Sequence, residues 1–454
     1  MIQLCDIHGT RMQHSPVMCW VERYLGSLPT ITLRMKVNVE TMETMTGSAS
    51  LETPSTQALA ATMADELATL RRELHQIPEL GNDLPLTQQR LLAALADLDL
   101  EITLGKQLSS ITAVLRGEGT HASGIKPVVL LRGDMDALPV AEANDLDYKS
   151  THEGLMHACG HDLHMAGLVG AARILHARKA DLAGDVVFMF QPGEESPGGA
   201  EPMIAEGVLD AAGRRADAAF GLHVFSTGQP QGVWYGRQGS QMAAADELHV
   251  RFKGVGGHGS QPHEAKDPIP ALCEAVTALQ TMVTRAFDVF DPVVVTVGKI
   301  AGGTRDNIIP DDATFDATVR SFSAKSRSSI QEKSVRLVQG IAEAHGLEAS
   351  VEYTELYPVL VNEESAYELA RQTVVDMFGE DRYSEMQFPL PGSEDFAFIA
   401  EEVPSSFLFL SACVDNTATN LGNNHSAHAL FDDSVLPDAA AWLAEVAIRR
   451  INHG

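Results

Sequence analysis

Three short apolar runs in the first half of the chain each end in polar side chains. The runs cover residues 127–132, 185–190 and 218–222. Continuous runs of this length predict buried strands. Helix-forming stretches such as residues 163–180 separate them, and strands that alternate with helices indicate a mostly parallel sheet with helices on both faces. Since ligands bind beyond the carboxyl ends of the strands in such sheets, we expect the polar ends of the three runs to meet at one edge.

The pattern changes in the middle of the chain. Residues 247–252 alternate between apolar and polar, which predicts a half-exposed strand. A helix, two strands, a second helix and a last strand follow, and this β-α-β-β-α-β order indicates a ferredoxin-like insertion. We therefore predict an α/β catalytic domain, residues 56–238 and 352–454, interrupted by a smaller α+β domain at residues 239–351. Residues 1–55 are rich in Met and have no clear period, so we interpret them as an N-terminal extension that is disordered or precedes the true start.

Composition and charge narrow the classes of partner. The chain has 454 residues, and its 33 basic and 61 acidic side chains give a formal charge of -28. This acidity disfavours nucleic acid as a partner. No apolar run approaches the ~18 residues of a membrane span, so we expect no membrane partner either. The five cysteines are scattered, which argues against a disulfide framework and predicts a reducing compartment, the cytoplasm.

The densest chemistry lies between Met156 and His164. Cys159 and His161 stand two residues apart on a predicted loop that enters a helix, and Gly160 between them allows a tight turn. A thiolate and an imidazole in this arrangement can both face one ion, and they suit zinc and neighbouring transition metals better than calcium or magnesium. The plain alternative is a buried cysteine beside a hydrogen-bonded histidine.

Other strand ends carry the side chains that would complete such a site. Glu194 and Glu195 follow the second apolar run, where one carboxylate can bind a metal ion while its neighbour acts as a base toward water. His223 and His425 are candidate remote ligands, although a lone histidine is more often structural. Asp136 is a candidate for an acid that orients a ligating imidazole.

Two competing motifs are weaker. Residues 254–259 match the glycine pattern of a dinucleotide-binding loop, but Pro262 and Pro268 oppose a helix there and no acid ends a second strand about 20 residues on. Cys159 beside a histidine also fits a thiol nucleophile. That reading leaves Glu194, Glu195 and the remote histidines without a role, so we rank it below a metal site.

Several stretches together resemble the binuclear metallo-amidohydrolases of the aminoacylase/carboxypeptidase G superfamily. The closest branch contains hippurate hydrolase and the indole-acetyl-amino-acid hydrolases. The resemblance runs from about residue 60 to the end of the chain. It rests on Arg72-Glu73-Leu74-His75, Arg132-Gly133-Asp134-Met135-Asp136-Ala137-Leu138-Pro139, His157-Ala158-Cys159-Gly160-His161-Asp162, Phe190-Gln191-Pro192-Gly193-Glu194-Glu195, Gly221-Leu222-His223, Gly257-His258-Gly259-Ser260, Asn307-Ile308-Ile309-Pro310 and Gly392-Ser393-Glu394-Asp395-Phe396.

The resemblance implies a role for each matched position. Two divalent ions, zinc or manganese with nickel or cobalt as alternatives, are expected on Cys159, His161, Glu195, His223 and His425. Glu194 takes the place of the general base and Asp136 that of the orienting acid. His258 matches an oxyanion-stabilising histidine, Asn307 an asparagine that reaches the other subunit's site, and Arg320 a weaker candidate for binding the substrate carboxylate. The smaller domain would be a lid that also forms a homodimer or a higher homo-oligomer.

The sequence thus predicts a hydrolase that cleaves small N-acyl-amino acids to a carboxylic acid and a free amino acid. Two metal ions would activate the attacking water, and Glu194 would accept its proton. A carboxypeptidase or dipeptidase on the same site is the first alternative. A binding protein without catalysis is the second, and the intact Glu194 argues against it.

Overall fold

A computed structural model describes residues 54–415 and 422–453. The predicted N-terminal extension therefore lies outside the described residues, apart from its last two positions. Ser55 caps the first helix, because its side chain accepts a hydrogen bond from the backbone N–H of Ala58 at 3.1 Å. None of the helices in the described ranges is long and apolar enough to cross a bilayer.

Strands and helices alternate along most of the described chain. The strands are β1 (Glu101–Leu104), β2 (Ile111–Arg116), β3 (Val128–Asp134), β4 (Asp185–Gln191), β5 (Ala218–Phe225), β6 (Trp234–Gly236), β7 (Gly239–Met242), β8 (Ala244–Lys253), β9 (Gly257–His258), β10 (Val293–Gly302), β11 (Ile308–Ile309), β12 (Asp312–Ser321), β13 (Glu348–Tyr357), β14 (Leu360–Asn362), β15 (Tyr383–Glu385) and β16 (Ser405–Ser411). The helices are α1 (Thr56–Thr62), α2 (Ala64–His75), α3 (Pro85–Leu95), α4 (His161–Ala177), α5 (Ala200–Ala205), α6 (Pro268–Ala286), α7 (Ala324–Ala344), α8 (Glu364–Phe378), α9 (Phe396–Glu402) and α10 (Leu436–His453).

An eight-stranded sheet forms the centre of the catalytic part of the fold. Its strand order is β1-β2-β4-β3-β5-β16-β6-β15. The inner strands β4, β3, β5 and β16 run parallel, whereas β1, β2 and the β16–β6 pair are antiparallel. The predicted mostly parallel sheet is confirmed.

Alternate residues of the inner strands pack against helices on opposite faces. Val129 and Leu131 of β3 join the core beneath α2, α4 and α10, whereas Val128 and Leu130 join the core beneath α5 and α9. Because both faces are covered, every residue of β3 and β4 and all but the last residue of β5 are buried. This burial explains why the three apolar runs were readable as strands in the sequence.

A four-stranded antiparallel sheet forms the second part, with the order β10-β12-β8-β13. Its elements follow the chain order β8-α6-β10-β12-α7-β13, which is the predicted ferredoxin-like arrangement. Its core is separate and includes Phe252, Phe315 and Leu279. We call this part the lid. The sheet begins at Ala244 and ends at Tyr357, and the domain limits at residues 239 and 351 stay a prediction.

At the start of the described chain, Met63, with φ -106° and ψ 4°, separates α1 from α2. One detail differs from the predicted elements. The strand expected to end before His223 continues to Phe225, because β5 keeps its pairing with β16 as far as the Phe225–Ser411 pair. His223 therefore lies within the strand and is held by the sheet itself.

Candidate active site

The carboxyl ends of β3, β4 and β5 lie side by side, since β3 pairs in parallel with both neighbours. A cavity of about 530 Å³ opens above this part of the sheet. Its lining consists of Cys159, Glu194, Glu195, His223, Phe225, Met242, Arg320, Leu390, Pro391, Gly392, Ser393, Glu394, Asn424 and His425. The polar strand ends predicted to converge do so here.

The turn before α4 presents the first two candidate ligands. Cys159 precedes the helix and His161 is its first residue. Gly160 between them has φ 85°, and a Cβ atom at this position would lie 2.4 Å from Cγ2 of Val224. A side chain is therefore excluded for two reasons, the left-handed backbone and the close approach of β5.

The remaining candidate ligands surround the Cys159 sulfur. Cys159 Sγ lies 3.3 Å from Nε2 of His223 and 3.3 Å from Nε2 of His425. His425 Nε2 in turn lies 3.0 Å from Oε1 of Glu195. The donor atoms form two groups that share the thiol, Cys159 with His161 and His223, and Cys159 with Glu195 and His425.

The loop that carries His425 has a strained backbone. His425 has φ 71°, and no other non-glycine residue in the described ranges has a positive φ. Its backbone N–H donates to the carbonyl of Ala158 at 2.8 Å, and the amide of Asn424 donates to the carbonyl of Val224 at 3.0 Å. Strain of this kind persists only where surrounding contacts enforce it, and it is common at functional sites.

The donor set fits a metal ion, as the contacts of the imidazoles show. Nδ1 of His161 lies 2.9 Å from the carbonyl oxygen of Asp136, and Nδ1 of His223 lies 2.8 Å from that of Val224. When each Nδ1–H donates to its carbonyl, the Nε2 atoms are left with lone pairs toward the cavity. Nε2 of His161 is buried and has no hydrogen-bond partner. A buried imidazole nitrogen that makes no hydrogen bond, next to a thiol and carboxylates, fits a transition-metal site.

The groups around the Cys159 sulfur have shifted pKa values. The hydrogen bonds of His425 to Cys159 and Glu195 raise the pKa of this imidazole to about 10. Burial raises the pKa of the Cys159 thiol and lowers that of His223 well below its ordinary value. A thiolate and neutral imidazoles are the forms that bind a metal ion, so binding one would reverse the states of Cys159 and His425.

Asp136 holds the backbone of the adjacent residues Glu194 and Glu195 in place. Its two carboxylate oxygens accept the backbone N–H groups of Glu194 and Glu195, at 2.9 and 3.0 Å. Its carboxylate lies 3.7 Å from Nδ1 of His161, so the imidazole is oriented mainly by the backbone carbonyl of Asp136. Burial raises the pKa of Glu194 well above its ordinary value, and the charges of Glu394 and Glu195 add to this shift.

A buried arginine beneath the cavity was not assigned a role from the sequence. Arg132 is fully buried and forms ion pairs with Asp134, Glu394 and Asp395. Gln191 accepts a hydrogen bond from Arg132 and donates to Asp395. Burial raises the pKa of Glu394 to about 8, against the opposing charge of Arg132. The available signal was a charged residue inside an otherwise apolar run, since a buried charge needs partners.

His164 was also missed as part of this site. One ring nitrogen contacts the carboxylate of Asp134 and the other accepts the backbone N–H of Val224 at 2.8 Å. The ring centroid lies 4.7 Å from that of His223 and 5.3 Å from that of His161. His164 therefore packs against the imidazoles of two candidate ligands, His161 and His223. Its position three residues after His161, on the same face of α4, was the signal that could have identified it.

The lid contributes one side chain to the cavity lining. Arg320 of β12 reaches the cavity, where its Nη1 donates to Oγ of Ser393 at 3.1 Å, and burial lowers the pKa of its guanidinium. His258 lies in the small β9–β11 ribbon and Asn307 immediately precedes β11, where the N–H of Gly259 donates to the carbonyl of Asn307. Both are exposed and neither lines the cavity. Within one chain, the structure brings eight of the ten predicted residues together and leaves these two apart.

The fold and the donor set define a class of protein in which candidate metal ligands converge at the edge of a mainly parallel sheet. The sequence profile described as Peptidase family M20/M25/M40 matches residues 130–449. The chain belongs to this family. The predicted family resemblance and the predicted enzyme class, a metal-dependent amidohydrolase, are both confirmed.

Individual relatives agree over most of their lengths. IAA-amino acid hydrolase ILR1-like 4 of Arabidopsis thaliana is 35% identical over 391 residues, which are 85% of this chain and 86% of the relative. Thermostable carboxypeptidase 2 of Saccharolobus solfataricus is 35% identical over 394 residues, 86% of this chain and 96% of the relative. The crystal structure of the Bacillus subtilis YXEP protein, described as a dinuclear metal-binding peptidase of the M20 family, superposes with a TM-score of 0.73 at 29% identity, covering 86% of this chain and 99% of that chain.

Proposed function

We propose that this enzyme hydrolyses the amide bond of N-acyl-amino acids, releasing a carboxylic acid and a free amino acid. One observation carries the proposal. Two groups of metal-ligand atoms share the Cys159 sulfur, and the buried carboxylate of Glu194 lies beside them in the same cavity. We assign two divalent ions, zinc or manganese, to the side chains of Cys159, His161, Glu195, His223 and His425.

Glu194 acts as the general base in this proposal. The bound ions would polarise the amide carbonyl and lower the pKa of water. Glu194 then accepts a proton from the attacking water and delivers it to the leaving amine. The raised pKa of Glu194 suits both steps, because a carboxylate in a buried acidic site accepts a proton more readily than an exposed one does. Asp136 holds the backbone of Glu194 in place during both transfers.

Two features of the cavity recognise the substrate in this proposal, namely the guanidinium of Arg320 and an apolar wall. We propose that Arg320 binds the carboxylate of the amino acid, with the Ser393 hydroxyl as its present partner. Phe225, Met242 and Leu390 offer an apolar surface on the cavity lining for the acyl group. This apolar wall favours a simple acyl group over a peptide, whose additional amides would lose hydrogen bonds to water there.

The lid completes the site in this proposal. We assign His258 to stabilising the oxyanion and Asn307 to the same reaction centre, delivered by lid closure or by the lid of a second subunit in a homodimer. Both side chains are exposed, His258 in the β9–β11 ribbon and Asn307 just before it, which is compatible with either route. We also propose the cytoplasm as the location, based on the scattered cysteines.

Metal analysis followed by a hydrolysis screen tests the proposed function. The screen contains acetyl-, benzoyl- and long-acyl amino acids together with a set of dipeptides. We expect release of free amino acid from at least one acyl-amino acid at a kcat/KM of about 10⁴ M⁻¹s⁻¹ or more, and lower values for every dipeptide. Preference for dipeptides would instead support a carboxypeptidase or dipeptidase. Turnover by a metal-free protein would contradict the proposed mechanism.

A further inference from the structure

The backbone of Glu194 is held from two directions. On one side, the carboxylate of Asp136 accepts the N–H of Glu194 at 2.9 Å. On the other side, the hydroxyl of Tyr357 donates to the carbonyl oxygen of Glu194 at 2.8 Å. Asp136 follows β3 of the catalytic sheet, whereas Tyr357 is the last residue of β13 in the lid sheet. The general base proposed above is therefore connected to both parts of the fold.

An irregularity in β13 directs Tyr357 toward this loop. The register between β13 and β8 shifts between Glu355 and Tyr357, which places an additional residue, Leu356, in β13 at this point. Bulges of this kind change the direction of a side chain and are frequent next to active sites. The phenol ring then packs edge-on against Phe398, with centroids 6.1 Å apart, so its orientation is fixed by packing as well as by the hydrogen bond.

The hydroxyl of Tyr357 keeps its proton, so it can always donate this hydrogen bond. Burial raises the pKa of Tyr357, and the charges of Asp395 and Glu194 raise it further. The hydroxyl therefore stays protonated throughout the pH range in which such an enzyme works. Tyr357 is also the last residue of the lid sheet before the chain returns to the catalytic sheet, so a movement of the lid acts on this residue directly.

We propose that Tyr357 is a positioning residue, which couples the lid to the general base by fixing the peptide of Glu194. The proposal rests on the proposed function, because it assigns Glu194 the role of base. It assigns Tyr357 no contact with substrate or metal. Loss of the hydroxyl should release the carbonyl of Glu194 and misplace its carboxylate, which slows the chemical step while substrate binding is kept.

The test compares Tyr357→Phe with Tyr353→Phe in the metal-loaded enzyme. Tyr353 is the matched control, because it lies on the same strand, is also partly buried and donates its hydroxyl to Asp246 within the lid at 2.9 Å. We expect Tyr357→Phe to lower kcat about tenfold, with KM, metal content and melting temperature unchanged. Tyr353→Phe should leave kcat within about twofold of the original. Unchanged kcat in Tyr357→Phe, or an equal loss in Tyr353→Phe, would overturn the proposal.

A double-mutant cycle separates this proposal from the function on which it rests. If Tyr357 acts through Glu194, Tyr357→Phe has no further effect on the residual turnover of Glu194→Gln. A second tenfold loss in that background would show that Tyr357 acts elsewhere and would refute the coupling. Full turnover by Glu194→Gln alone would instead refute the proposed function, whatever Tyr357→Phe does.

Discussion

The two sheets of this protein differ in how much of their faces is buried. In the catalytic sheet, β3, β4 and β16 are buried at every residue, and the ligand-bearing loops start from their ends. In the lid sheet, β12 alternates between buried and partly exposed residues, and most of β10 is exposed. A strand packed on both faces cannot shift without disturbing two cores, whereas a sheet with one open face can move as a unit.

The residues to which we assign metal binding, catalysis and substrate contact are divided between the two parts in a corresponding way. In our proposal the metal ligands and Glu194 need positions fixed to a fraction of an ångström, and these residues belong to the catalytic part. The lid supplies Arg320, which hydrogen-bonds Ser393 at the cavity, and in our proposal both Arg320 and His258 contact the substrate. We therefore expect substitutions in the catalytic part to abolish chemistry or folding, and substitutions in the lid to alter binding and closure.

The largest effect is expected at Glu194. Glu194→Gln keeps the shape of the side chain and removes the base, so kcat should fall by about 10³-fold or more, while the metal content stays the same. Glu201→Gln, an exposed change at the start of α5, is the control and should keep full activity. Steady-state kinetics on the best substrate of the screen measures both variants. A loss of less than about tenfold in Glu194→Gln would remove this residue from the mechanism.

The next effect concerns stability rather than rate. Arg132→Met leaves the buried carboxylates of Asp134, Glu394 and Asp395 without their cation, so the free energy of unfolding should fall by about 3–5 kcal/mol. In the lid, Arg327→Met should cost less, because Asp246 keeps the hydroxyl of Tyr353 and Arg327 is partly exposed. Urea unfolding of the two variants checks the comparison. Equal losses would mean that the two sheets are equally sensitive to a missing charge.

A smaller loss of rate is expected at His258. His258→Ala should lower kcat by about 10²-fold with unchanged metal content and stability, because it removes one donor to the oxyanion. His263→Ala is the matched control, since this histidine lies nearby in the lid and its side chain is 75% exposed. Full activity of His258→Ala would show that the lid histidine takes no part in the reaction.

The smallest effect is expected at Arg320. Arg320→Ala should raise KM about tenfold and change kcat by less than about threefold, because it removes binding that is present before and during the reaction. Arg251→Ala, an exposed change on the lid strand β8 that breaks a surface pair with Asp312, should change neither constant. If Arg320 binds the substrate carboxylate, a substrate in which a carboxamide replaces this carboxylate should show the same rise in KM with the original enzyme. The KM of this substrate should not rise further with Arg320→Ala.

Much of the fold was predictable because burial leaves a direct trace in the sequence. The runs at residues 128–131 and 186–190 are apolar throughout, since their strands are covered on both faces. The first lid strand, β8, was recognised by alternation, because only one of its faces is covered along residues 247–252. Short elements with few residues were not recognised: β6, β7, β14 and α5 have between three and six residues, too few for a period to be visible.

The candidate site was predictable in part. Cys159, Glu195, His223 and the other ligand-type residues stand out because they follow apolar runs or cluster together. Arg132 and His164 were missed because their roles depend on partners far along the chain, Glu394 for the first and Val224 for the second. Tyr357 left no signal, since the bulge that directs it toward Glu194 is visible only in the paired strands.

The proposed metal site is tested most directly by measuring how many metal ions the enzyme binds with and without the Cys159 side chain. Elemental analysis of the purified enzyme should find two divalent ions per chain, because the two ligand groups share this sulfur. Cys159→Ala should bind fewer than one ion per chain and lose activity, whereas Cys413→Ala, at a buried cysteine outside the ligand groups, should retain both ions and full activity. Two ions and full turnover in Cys159→Ala would contradict the shared site and the mechanism built on it.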